Sequence, residues 1–135
     1  MTDTLIFPVG DDLNRRQVAF FLHPDITSLP DRPGIFVLMG LDNQRRHRPL
    51  YFGLAHSSML DEVPYDPGFA QAIRYGLVSF ASAYVPSGED PRELVTELAR
   101  TLDAPVNAAA DALAEIEAAQ AGIQAQAAAR KIAAQ

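Results

Sequence analysis

The stretch Arg32–Pro67, RPGIFVLMGLDNQRRHRPLYFGLAHSSMLDEVPYDP, decides how this chain is read. GIFVLMG (Gly34–Gly40) and PLYFGLA (Pro49–Ala55) are apolar and rich in β-branched and aromatic residues, a composition suited to pleated, half-buried strands. The polar LDNQRRHR separates them, so the pair is predicted to form an antiparallel hairpin. The segment that follows is acidic, with Asp61, Glu62 and Asp66, and that charge needs a reason.

Working outward, PGFAQAIRYG is predicted to be a short helix ending near Gly76, and LVSFASAYV (Leu77–Val85) alternates well enough for a third strand. In EDPRELVTELARTL, Asp90 is placed as an N-cap and Pro91 takes the first helical position. Glu93 adds a capping-box-like pattern, and Leu94, Leu98 and Leu102 make one apolar stripe. TLIFPV and QVAFFL near the N-terminus are read as added edge strands, Pro8 arguing against a central place for the first. Composition shifts once, after Asn107, so residues 1–107 are taken as the folded domain and 108–135 as an Ala- and Gln-rich helix. Asn107 is expected to cap it, with Asp111, Glu115 and Glu117 towards its positive end and Arg130 and Lys131 near its negative end.

The whole chain sets outer bounds. Its 135 residues, 48% hydrophobic, suit one domain. No apolar run reaches the ~18 residues of a membrane span, and MTDTLIFPVGDD lacks a signal peptide's basic start and apolar stretch, so a cytoplasmic location is expected. Absence of Cys removes disulfides, thiolate nucleophiles and Cys-bound zinc. A formal net charge of -6 disfavours non-specific nucleic-acid binding, which depends on Lys and Arg neutralising phosphates.

The order of hairpin, helix, strand and a helix ending in Pro-x-Asn resembles the GIY-YIG nuclease fold. The family's two triplets stand here as Gly34-Ile35-Phe36 and Tyr51-Phe52-Gly53, with LPDRPGIF, AIRYGLVSFASAYV and LDAPVN as further marks between about Leu29 and Asn107. The resemblance implies an α+β fold: a small three-stranded antiparallel sheet flanked by helices, with the N-terminal strands and the long Ala-rich helix added. It also implies a nuclease centre of two triplet Tyr residues, a phosphate-steadying Arg, a Tyr or His, a metal-holding Glu and an Asn. Tyr51, Tyr65 and Asn107 match those positions. Phe36 lacks the hydroxyl, Asp61 stands where the Arg falls, and Val95 stands where the Glu falls. Phosphodiester hydrolysis needs a cation facing the phosphate and a carboxylate-bound Lewis acid, so these changes remove the chemistry.

The expected function is therefore that of a catalytically inactive GIY-YIG-like domain acting as a protein-binding or regulatory module, with no catalytic residue and no cofactor. Binding is assigned to the basic turn (Arg45, Arg46, His47, Arg48) and to Asp61, Glu62 and Asp66. One alternative is a divergent DNA endonuclease using Mg²⁺ or Mn²⁺ with Tyr51, Tyr65, Asn107 and a displaced acid, Glu97. A second is a structural or assembly subunit working through the C-terminal helix, which also makes a second copy a candidate partner: Leu113, Ile116, Ile123 and Ala127 follow a rough heptad interrupted by Gln120. Each assigned residue also has a structural reading. Tyr51 and Tyr65 can simply pack, Asn107 can cap, QRRHR can be a solvated turn, His56 and His23 can be loop residues, and the acids can form a solvated face.

Overall fold

The computed structural model describes residues 3–10, 13 and 15–133. Ala134 and Gln135, at the end of the expected helix 108–135, lie outside the described residues. Five strands, β1 (Thr4–Val9), β2 (Arg16–His23), β3 (Gly34–Leu41), β4 (His47–Ala55) and β5 (Ser79–Ala83), form one sheet in the order β1-β2-β5-β3-β4. Every neighbouring pair is antiparallel. The small three-stranded sheet expected from the sequence is thus corrected to a five-stranded one. β2 is not an edge strand: it lies between β1 and β5, with Phe21 opposite Ser82. His23, read as a loop residue, ends β2, and its Nε2 lies 2.7 Å from Ser82 Oγ.

The sheet is also curled. Phe7 of β1 and Phe52 of β4 belong to the two edge strands, yet their ring centroids are 5.9 Å apart, with Phe20 touching both. A flat sheet would separate edge strands by four spacings, roughly 19 Å. The central strand permits this curl because SFASA carries little bulk beyond Phe80, and all five of its residues are buried.

Successive strand residues point to opposite faces, so the sheet divides the core in two. Ile35, Val37, Met39, Phe52, Ala81 and Ala83 face the concave side, where Leu94 and Leu98 of α3 (Pro91–Thr101) cover them. Phe36, Leu38, Leu50 and Phe80 face the other side, with Met59 of α1 (Met59–Glu62) and Ala72 of α2 (Pro67–Arg74). Asp90 caps α3, accepting the N–H groups of Arg92 and Glu93, and Pro91 begins the helix. A bulge in β4 at Pro49–Tyr51, where Pro49 has no N–H to give the ladder, lets both Leu50 and Tyr51 pack on the second cluster.

α4 (Pro105–Ala133) starts at the β4 edge. Ala104, just before it, packs in the concave cluster and Val106 in the other, so the chain crosses the sheet edge there. Asn107 therefore lies inside α4 and does not cap it. Among the described residues no helix is long and apolar enough to cross a membrane.

Candidate functional site

A groove of about 340 Å³ opens between α2, α4 and β4, lined mainly by Tyr51, Gly68, Tyr75, Val106, Ala110 and Leu113. Its floor is built by close approach of rings to glycines. Phe36 lies across from Gly53, and a Cβ on Gly53 would come within 2.3 Å of the Phe36 ring. Tyr51 touches Phe36, with ring centroids 6.0 Å apart, and lies over Gly68 at the start of α2, where a Cβ would come within 2.4 Å of it. The Asp66 carboxylate stands near the Tyr51 hydroxyl. Burial, then the neighbouring Asp66 carboxylate, push the phenol well above its ordinary range. It stays protonated at any physiological pH.

Asp66 also caps α2, accepting the Gly68 N–H at 2.8 Å. Glu62 accepts the backbone N–H groups of His56, Ser57 and Ser58 at 3.0, 2.8 and 2.6 Å, and these hydrogen bonds hold its carboxyl down at about 2. The acidity of this segment thus has a structural cause: two of its carboxylates organise the loop after β4 and the entry to α2. Asp61 is exposed, and its N–H is accepted by the Ser58 hydroxyl that caps α1. A depressed carboxyl stabilises the fold fully above its unfolded value near 4.5 and ceases to do so as pH falls towards 2. Glu62→Gln is therefore expected to flatten the fall in melting temperature between those two pH values; a variant melting curve that tracks the wild type through that range would show that Glu62 contributes nothing there.

The amide of Asn107 spans the sheet edge. Its Oδ1 accepts the Phe52 N–H at 2.8 Å and its Nδ2 donates to the Phe52 carbonyl at 3.0 Å, so the side chain stands in for a further strand.

The positions assigned from the resemblance do not form one site. Phe36, Tyr51 and Asn107 gather around β4. Tyr65, in a 3₁₀ turn at Val63–Tyr65, is 88% exposed. Val95 packs from α3 on the concave cluster, across the sheet from Phe36 and Tyr51. Glu97, on the same helix, pairs with Arg16 at 3.3 Å, and Arg16 also pairs with Glu89. Among the described residues no three His, Asp or Glu side chains converge as a metal would require. In the basic turn, Asp42 accepts the N–H groups of Gln44 and Arg46, and Arg45 takes a left-handed conformation with φ 61°. Arg45, Arg46 and Arg48 are exposed, while His47 Nδ1 lies 3.1 Å from Ser79 Oγ. His56 is exposed, and its N–H serves Glu62.

Sequence reasoning missed the caps at Glu62 and Asp66. A signal was present for the second: Asp66-Pro67 repeats the Asp90-Pro91 pattern that opens α3. Nothing in the sequence pointed to the Asn107–Phe52 pairing. Comparison with family models, with curated proteins and with solved structures gives no match.

Proposed function

We propose that the chain is a GIY-YIG-like domain that has set aside nuclease chemistry and works as a protein-binding module, taking its partner in the groove between α2 and α4. The observation that supports this most is the fate of the Tyr51 hydroxyl. A water-activating phenol must reach the substrate and give up its proton readily, whereas this one is half-buried beside Asp66, which holds it protonated and whose charge also repels a phosphate. The Asn107 amide is likewise engaged at both ends by backbone. What faces outward is an apolar cleft walled by Val106, Ala110 and Leu113. Its acidic border at Asp66 and the net charge of -6 favour an apolar side chain flanked by basic residues on the partner.

Ala110→Arg fills the groove from an exposed helix position. Capture from extracts of the source organism with the immobilised full chain should yield proteins that the variant no longer retains; equal capture by both, or capture by neither, would count against the groove. The endonuclease alternative is tested by supercoiled plasmid with Mg²⁺ or Mn²⁺. No nicking is expected, and metal-dependent nicking that vanishes in Tyr51→Phe would overturn the reading.

A further inference from the structure

A further pocket, of about 290 Å³, opens where β2 runs beside β5 and shares no residue with the groove between α2 and α4. Ser82 stands opposite Phe21, and His23 opposite Phe80, so Ser82 and His23 are diagonal neighbours on one face of the ladder. Their side chains meet at the floor of the pocket: His23 Nε2 lies 2.7 Å from Ser82 Oγ. Phe21, Pro30, Met59 and Tyr84 wall the space around them. Burial lowers the pKa of His23, so near neutral pH its ring is uncharged and has a nitrogen free to take a proton.

We infer that Ser82 and His23 are a nucleophile and its general base, and that the pocket accepts the acyl group of a small, uncharged, activated ester. This goes beyond the groove reading and does not depend on it. A hydroxyl is a weak nucleophile unless an adjacent base takes its proton, and the 2.7 Å separation puts that base in place. With its own proton on Nδ1, the imidazole presents Nε2 as acceptor and the Ser82 hydroxyl donates to it. As Oγ attacks the ester carbonyl, its proton passes to Nε2. The bond from the carbonyl carbon to the leaving oxygen then breaks, and Nε2 returns the proton to that oxygen. Water, deprotonated by the same nitrogen, releases the acyl group from Oγ as a carboxylic acid. The walls decide the substrate class. Apolar side chains suit a short hydrocarbon chain, and no Lys or Arg lines the pocket to face a phosphoryl group. Burial is the cause of the His23 shift, with no carboxylate raising it, so the base is a modest one and the leaving group must be good, as in an aryl ester.

Incubation of the full chain with p-nitrophenyl butyrate should release p-nitrophenolate and leave a butyryl group on the peptide that carries Ser82, read by mass spectrometry after an acid quench. Ser82→Ala removes only the hydroxyl from a strand already rich in Ala, so it should lose the adduct while keeping the wild-type circular dichroism spectrum. His23→Gln keeps a polar group beside Ser82 but no base, and should slow acylation by ~10²-fold or more. If the wild type shows neither an adduct at Ser82 nor a release of p-nitrophenolate that Ser82→Ala abolishes, the proposal is overturned. Acylation of Ser82 at the wild-type rate in His23→Gln overturns the pair. Neither result touches the groove, which is read separately through Ala110→Arg.

Discussion

Phe36→Ala is expected to destabilise the protein by about 3–5 kcal/mol, the usual cost of emptying a buried aromatic site. That is a large share of the ~5–15 kcal/mol that holds a domain folded. Phe36 is 1% exposed and sits in the second core cluster, across from Gly53 and against Tyr51. Deleting its ring removes the contact each makes with it, and the surrounding strands are too constrained to collapse into the space. Phe36→Tyr asks a different question. It places a hydroxyl in this buried cluster, and a buried hydroxyl without a partner costs ~1–3 kcal/mol. Gly53→Ala should cost ~1–3 kcal/mol, because its Cβ would meet the ring at 2.3 Å. Combined with Phe36→Leu, which removes the obstructing ring edge, the cost should be smaller than the sum of the two single changes. Urea unfolding with a common slope measures all of these. A midpoint for Phe36→Ala within error of the wild type would show that the ring is not the keystone of this face.

Asn107→Ala is expected to cost about 2–4 kcal/mol, since it leaves both the N–H and the carbonyl of Phe52 without the partners they have at the sheet edge. Water can reach part of this edge, which keeps the figure below the full cost of two buried groups. Asn107→Asp should recover only part of the loss: a carboxylate accepts from the Phe52 N–H but has no donor for the carbonyl and repels it. The discriminating readout is amide hydrogen exchange at Phe52. Its protection should fall in Asn107→Ala by more than global unfolding explains, because the start of α4 is fastened to β4 through this pair. Unchanged protection at Phe52 would mean that α4 is held there by Val106 alone.

Local chemistry was the legible part. The Gly34–Gly40 and Pro49–Ala55 strands pair antiparallel, and the Leu77–Val85 segment contains β5, hydrogen-bonded to the other side of β3. Asp90 and Pro91 open α3, and Leu94 and Leu98 face the core. In each case the signal and its effect lie within a few residues, where strand alternation, helical spacing and an N-cap act through the backbone itself. The Asp66 cap is of this kind too, since Asp66-Pro67 repeats the Asp90-Pro91 pattern that opens α3.

By itself, then, the sequence determined the five strand segments, the helices that became α2 and α3, the inner face of α3, the absence of cysteine chemistry and the acidic balance. Only the tertiary structure decided that β2 lies inside the sheet, that the edge strands curl until Phe7 meets Phe52, and that Val95 and Glu97 fall across the sheet from Tyr51. It also decided that Tyr51 is half-buried beside Asp66 and that Asn107 completes the edge of β4. The physical reason is one of range. Strand period and helix capping are properties of neighbouring residues, whereas the partner of a strand edge or a phenol is chosen by how the whole core packs, and residues far apart in the chain carry no mark of one another until it does.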